Sequence, residues 1–252
     1  MSEKKQPSMK NISNVTAAIL VGGLGTRLRS VVCDKPKVLA EISGKPFLAY
    51  LLDKLLTTGI RKVVFCSGYM GDKVEDYFGD TYDSLHLCYS REDEPLGTGG
   101  ALRLALPFFS SEAVLVMNGD SYIDTVLNAY IDWFFEQRIK AALLLTKVDD
   151  TSRYGSVEIN KDKTVAAFEE KCDNAGPGWI NAGVYLLKRS LVSVIPTGKF
   201  YSLEREFFPS LADGELYGFC SDGRFIDIGT PEAYSIAESF FAVRNHEDFA
   251  GM

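Results

Sequence analysis

The sequence predicts an α/β fold with a mixed, mostly parallel central sheet, helices on both faces and a smaller β-rich portion to one side. Three observations carry this. Unbroken apolar runs such as Ala17-Ala18-Ile19-Leu20-Val21 and Ala113-Val114-Leu115-Val116-Met117 read as strands buried on both faces, the pattern of parallel sheets. Segments with apolar residues at helical spacing alternate with such runs through the first half of the chain. Glycine-rich turns follow directly on two strand ends, where α/β folds place their ligand loops. With 252 residues, 46% of them hydrophobic, the chain can bury a large core. We expect a polar tail over residues 1–13 and one domain over 14–243, divided into halves at about 14–147 and 148–243.

The elements follow in order. Thr16 to Val21 is the first strand. Pro46 suits the first turn of a helix carrying Phe47, Tyr50, Leu51 and Leu55, and Gly59 closes it. A strand from Lys62 to Cys66, a short helix from Asp72 to Phe78 and a strand from Leu85 to Tyr89 come next. Pro95-Leu96-Gly97-Thr98-Gly99-Gly100 is a second glycine loop, opening a helix through Leu106. The Ala113 to Met117 strand ends in Asn118-Gly119-Asp120, and a helix from Val126 to Gln137 leads to a strand from Ala141 to Thr146. The rhythm then changes. Gly155 to Ile159, Thr164 to Glu170 and Ile180 to Leu187 are extended, with a turn at Asn160-Lys161-Asp162-Lys163, which suggests antiparallel or mixed strands capping the first half. Ser202 to Leu211 and Pro231 to Phe241 read as amphipathic helices N-capped by Ser202 and Thr230.

Composition excludes several classes of function. A net charge of −7 argues against nucleic acid or an anionic membrane as partner, since both reward a basic surface. The five cysteines (Cys33, Cys66, Cys88, Cys172, Cys220) are odd in number and lack C-x-x-C spacing, as expected of buried free thiols in a reducing cytoplasm. No run approaches the roughly 18 apolar residues of a membrane span, and the start lacks the apolar stretch of a signal peptide. Only two histidines occur, His86 and His246, so a zinc site or a histidine-based acid/base mechanism has almost no material.

The chemistry-bearing residues lie at strand ends. Gly22-Gly23-Leu24-Gly25-Thr26-Arg27-Leu28, followed by Asp34-Lys35-Pro36-Lys37, puts flexible backbone amides and the cations Arg27 and Lys37 around one loop, a cradle for a polyphosphate. It is not a dinucleotide fingerprint, because Leu28 stands where a third small residue belongs. It is not a P-loop either, because Gly-Lys-Ser/Thr is missing. Asp120 and Asp227 each end an apolar segment and offer hard oxygen ligands of the kind Mg²⁺ takes alongside substrate phosphates.

These residues resemble the sugar-1-phosphate nucleotidyltransferases. The glycine loop with Pro36-Lys37-Val38-Leu39 and Gly44-Lys45-Pro46 is followed, in the family's order, by Pro95-Leu96-Gly97-Thr98-Gly99-Gly100-Ala101 and Asn118-Gly119-Asp120. Tyr154-Gly155, Glu169-Glu170-Lys171, Asn181-Ala182-Gly183 and Ile226-Asp227-Ile228-Gly229-Thr230 complete the match, over residues 15 to 240. The resemblance implies a Rossmann-like core with a β-rich sugar-binding portion, and two substrates, a nucleoside triphosphate and a sugar 1-phosphate. It implies Arg27 and Lys37 as catalytic residues, and Leu20, Gly22, Gly23, Gly25, Thr26, Gly97 and Thr98 at the nucleotide. It places Gly119, Gly155, Glu170, Lys171 and Asn181 at the sugar phosphate, and Mg²⁺ on Asp120 and Asp227.

Within the family the pattern is most like the bacterial heptose-1-phosphate guanylyltransferases. That likeness implies GTP and D-glycero-D-manno-heptose 1-phosphate as substrates, for surface polysaccharide. Mannose-1-phosphate guanylyltransferase and glucose-1-phosphate thymidylyl- or uridylyltransferase stay open, as do a non-catalytic sugar-nucleotide sensor and homo-oligomerisation. A nicotinamide-dependent oxidoreductase is disfavoured by the absent third glycine and by Lys37. Glu41 stands where the broader family often has proline, and no left-handed β-helix follows the Pro231 helix, so transfer alone is expected. Lys35 and Lys45 read as exposed or supporting residues, and Glu204-Arg205-Glu206 most simply as a charged helix face, although the resemblance implies residues near the sugar there.

Overall fold

The computed structural model describes residues 9–23, 28, 34–170, 176–212 and 214–242. Its centre is a ten-stranded sheet. Val15–Leu20 lies between Lys62–Ser67 and Ala113–Asn118 and is parallel to both, and Leu85–Arg91 extends the parallel block beyond Lys62–Ser67. The register aligns Leu20 with both Cys66 and Asn118, so three strands end side by side. The loops that follow therefore emerge at one edge.

The sheet turns mixed at Gly178–Lys188, which runs antiparallel to Ala113–Asn118 on one edge and to Ala141–Val148 on the other. At eleven residues it outruns Ala113–Asn118, and the freed length of that edge takes Gly155–Ile159 through Ser156 opposite Ile180. Val165–Glu170 pairs outside Gly155–Ile159. Early and late strands thus share one sheet, and Gly178–Lys188 changes partner between Ile180 and Val184 along one edge.

Alternation along each strand sends side chains to opposite faces. Ala17, Ile19, Val63, Phe65, Leu115 and Met117 join one apolar cluster, under the helices Phe47–Leu56 and Leu127–Glu136. Ala18, Val64, Cys66, Val114 and Val116 join the other, under the helix Gly97–Leu104 and the segment around Leu203 to Leu211. Burial on both faces explains why these strands read as continuous apolar runs. No helix among the described residues is long and apolar enough to cross a membrane. Cys66, Cys88 and Cys220 are free thiols.

Several boundaries differ from expectation for identifiable reasons. The helix opening at the second glycine loop stops at Leu104 instead of Leu106, and Leu106–Phe108 is a separate 3₁₀ turn, because Pro107 disfavours helical backbone in the residue before it. Ser202 to Leu211 is not one regular helix. Leu203–Phe207 is a π-turn and Phe208–Leu211 a short α-helix, as befits Pro209, which has no N–H for the α ladder. Ser202 caps it as expected, its hydroxyl accepting from the Arg205 amide, and Thr230 accepts from the Ala233 amide at the start of Pro231–Ser235.

Two further elements escape the local pattern. Leu216–Ser221 is a strand parallel to Ala141–Val148, and Gly218 within it is where a Cβ would come within 2.6 Å of Leu145. Ser121–Ile123 and Phe225–Asp227 form a small antiparallel ladder, joining residues a hundred positions apart.

Candidate active site

The aligned strand ends open into a cleft of about 310 Å³. Leu20, Gly22, Gly23, Lys37, Gly97, Thr98 and Asp120 all line it, so seven residues singled out from the sequence converge on one space. Gly25, Thr26, Arg27 and Lys171 lie outside the described residues. Glu170 ends a strand whose backbone pairs it with Gly155. Gly119 sits at the strand end, its amide donating to the Leu20 carbonyl at 3.0 Å.

Lys37, Asp120 and Asp227 are assembled by short local structures. Lys37 opens the 3₁₀ turn Lys37–Leu39, which is anchored by the buried Val38 and Leu39, so the side chain has a fixed origin. Its ammonium pairs with the Asp120 carboxylate, and both are largely covered. The small ladder brings in Asp227, which is paired with Ser121, while the Ile228 amide donates to the Asp120 carbonyl at 2.9 Å. The position a Cβ would take on Gly229 lies 2.7 Å from Asp227 Oδ1 and 3.6 Å from Lys37 Nζ, so Asp227 stands on one side of that glycine and Lys37, with Asp120 on its ammonium, on the other. The Gly229 amide also donates to Asp227 Oδ1 at 2.6 Å.

Among the described residues no group of three or more His, Cys, Asp or Glu could hold a metal. Two carboxylates do fit a hard cation that draws its remaining ligands from water and phosphate. Lys35 and Lys45 turn to Glu41 and Asp53 instead, away from this cluster, as supporting residues would.

Across the cleft stands a network the sequence did not reveal. Glu204 accepts from Thr98 Oγ1 at 2.7 Å, Ser202 Oγ at 3.1 Å and Tyr185 OH at 3.3 Å. Asn181 Nδ2 donates to Tyr185 OH at 3.0 Å, and Asn118 Nδ2 reaches the same oxygen at 3.4 Å. Asn181 Oδ1 in turn accepts from the Gly183 amide. Gly183 has φ +70, and a Cβ there would approach Ser121 Oγ to 2.4 Å, so only glycine lets this bulge lie against the Asp120 strand end.

Burial, and then the Glu204 charge, push the Tyr185 phenol well above its ordinary pKa, so it stays a neutral donor. Asn118 Oδ1 is buried with no partner among the described residues. Thr98 lies in the first turn of Gly97–Leu104, donates to Glu204 and accepts from the Leu203 amide. The Gly99 and Gly100 amides of this glycine loop are engaged, both donating to the Tyr201 carbonyl.

Glu92 is another residue missed from the sequence. Its Oε2 accepts from the Leu96 amide at 3.0 Å, and its Oε1 packs against Gly22 and Gly68 on the cleft wall. Burial raises its pKa, with the Leu96 amide opposing. Beside it the buried Cys66 thiol is pushed up to about 12, by burial first and by Glu92 second, so it serves the cleft as an unreactive apolar group.

Comparison with known proteins matches residues 16–243 to the family model described as Nucleotidyl transferase. The chain is 39% identical over 223 residues to D-glycero-alpha-D-manno-heptose 1-phosphate guanylyltransferase of Aneurinibacillus thermoaerophilus, covering 88% of this chain and 96% of that protein. It is 36% identical to the Mycobacterium tuberculosis mannose-1-phosphate guanylyltransferase over 87% of this chain and 62% of that protein. Among solved structures, HddC from Yersinia pseudotuberculosis complexed with GMP-PN superposes with a TM-score of 0.80 at 36% identity, covering 90% of this chain and 99% of the other.

Proposed function

The chain belongs to the nucleotidyl transferase family, and from that premise we propose that it transfers GMP from GTP to D-glycero-α-D-manno-heptose 1-phosphate, releasing pyrophosphate and GDP-heptose for surface polysaccharide. The observation that carries this reading is that Lys37 and Asp120 share the wall of one cleft with Gly22, Gly23, Gly97 and Thr98, while Asp227 stands across Gly229 from Lys37.

In this reading a sugar-phosphate oxygen attacks the α-phosphorus in line, forming the new P–O bond as the bond to pyrophosphate breaks. That oxygen is already mostly deprotonated at neutral pH, the second pKa being about 6. No general base is needed, which suits a cleft without histidine among its lining residues. The protein's work is then positioning and charge neutralisation. Lys37 meets the α-phosphate and Arg27 the departing pyrophosphate. Asp120 and Asp227 would hold Mg²⁺, which supplies charge to offset the phosphates. Lys37, which pairs with Asp120 when no substrate is bound, would turn to the α-phosphate in the complex.

The sugar phosphate is assigned to Gly119, Gly155, Glu170, Lys171 and Asn181, a reading supported by the pairing that brings Gly155–Ile159 against the strand carrying Asn181. Asn118 Oδ1 is an acceptor awaiting a hydroxyl there. The division into a nucleotide half and a sugar half follows from this placement. Glu92 supports guanine as the base. Its paired carboxylate oxygens match the adjacent N1–H and N2–H₂ donors on one edge of guanine, whereas uracil and thymine present acceptors flanking a single donor. Mannose 1-phosphate is the second reading for the sugar, favoured by the likeness to the mycobacterial enzyme.

A panel of GTP, dTTP, UTP and CTP against heptose, mannose and glucose 1-phosphates, read by pyrophosphate release with Mg²⁺ and with a chelator, tests this. Release with GTP and heptose 1-phosphate, lost on chelation, is expected. Release confined to another nucleotide would overturn the base, and release confined to mannose or glucose 1-phosphate would overturn the sugar.

A further inference from the structure

Phe200 is a large apolar side chain left 67% exposed, yet it lines the nucleotide cleft. Its ring touches the turn that builds the cleft wall, with Cζ 3.2 Å from the position a Cβ would take on Gly97. The segment bearing it is held in place. The Tyr201 amide donates to the Leu96 carbonyl at 2.9 Å, and the Tyr201 carbonyl accepts from Gly99 at 2.8 Å and Gly100 at 3.1 Å. Ile195 before it and Leu203 after it are buried. An aromatic ring on a pinned backbone, exposed in a cleft whose wall also carries Pro95, Ala101 and Leu20, is an apolar face that no partner among the described residues covers.

We propose that Phe200, contributed by the second half of the chain, covers the face of the nucleobase whose edge meets Glu92. This rests on the reading of the cleft as a nucleotide site and deepens it by naming what encloses the base. The two contacts divide the recognition. A carboxylate reads the donor edge, and a ring gains most from the larger π-surface of a purine. Because the ring touches the base and not the reacting phosphates, its contribution is uniform between ground and transition states. It therefore appears in KM with little change in kcat.

Phe200→Ala, Phe200→Leu and Phe200→Trp test this, with circular dichroism to confirm folding. GTP affinity is measured by calorimetry on the wild type and each variant, and turnover by pyrophosphate release. Phe200→Ala is expected to weaken GTP binding about tenfold, with kcat within about twofold of wild type. Phe200→Leu should recover only part of the loss. Phe200→Trp should restore affinity and report GTP binding as a fluorescence change absent from the wild type. Unchanged GTP affinity in Phe200→Ala, or a defect confined to kcat, overturns the assignment while leaving the nucleotide site standing. A wild-type protein that binds no nucleoside triphosphate overturns the nucleotide reading itself and this inference with it.

Discussion

On one side of the cleft Lys37 stands between Asp120 and Asp227, charges of both signs together, whereas on the other Thr98, Ser202 and Tyr185 gather neutral donors around the single carboxylate of Glu204. The first group is held together by attraction that a polyphosphate and its cation can rearrange, since each charge has an alternative partner in the substrates. The second is built from directional hydrogen bonds around a buried phenol, and moving one member leaves others unsatisfied. A cluster of paired charges suits the place where charge moves, and a network of directional hydrogen bonds suits the place where shape must hold. The two meet at one strand end, where Asn118 joins the network and Asp120 the ion pair.

Breaking the charged side should have the largest effect. Lys37→Ala is expected to lower kcat by about 10²–10³, the scale of removing one stabilising donor from a transition state. Its fold should be retained, as circular dichroism will show, because the buried Val38 and Leu39 anchor that turn independently of the ammonium. Full turnover in this variant would move the catalytic cation elsewhere.

Glu204→Gln comes next, and it probes rigidity instead of chemistry. An amide N–H₂ would face the hydroxyls of Thr98, Ser202 or Tyr185, so a loss of about 1–3 kcal/mol in urea unfolding is expected. If the network acts as a unit, Thr98→Ala should add little to a chain already carrying Glu204→Gln. Strictly additive losses would dissolve the contrast between the two sides.

The smallest expected effect concerns Glu92. Its folded-state pKa is raised by burial, so the folded chain holds that proton more tightly than the unfolded chain does. Ionisation as the pH rises through the folded value therefore costs stability, and below the unfolded value the cost is absent. Glu92→Gln should melt higher than wild type at pH 8, by on the order of 2 °C, and match it at pH 4. Equal melting at both pH values would mean that the carboxylate is fully solvated.

How legible each part was follows from the range of the interactions that make it. The parallel strands, the helix Phe47–Leu56, the caps at Ser202 and Thr230 and the convergence of the two glycine loops on one cleft were readable from local pattern. Each depends on a few neighbouring residues or on a strand end. Glu204 was read as a charged helix face because sequence gives no sign that a π-turn aims it at Thr98, a hundred positions away. Leu216–Ser221 was missed because Gly218 interrupts its apolar run, and the reason for that glycine is Leu145 on the neighbouring strand.

Residue order alone therefore established the fold class, the family and the kinds of group available for phosphoryl chemistry, since periodicity and motif spacing are local properties of the chain. Which of those groups face one another was set by tertiary pairing. The ladder between Ser121–Ile123 and Phe225–Asp227 places Asp227 beside Asp120 and Lys37, and Gly178–Lys188 changes partner from Gly155–Ile159 to Ala113–Asn118 along one edge. Those contacts join residues some 25 to 190 positions apart, and no local propensity encodes them. They exist because burying both faces of one sheet leaves the chain few other ways to close.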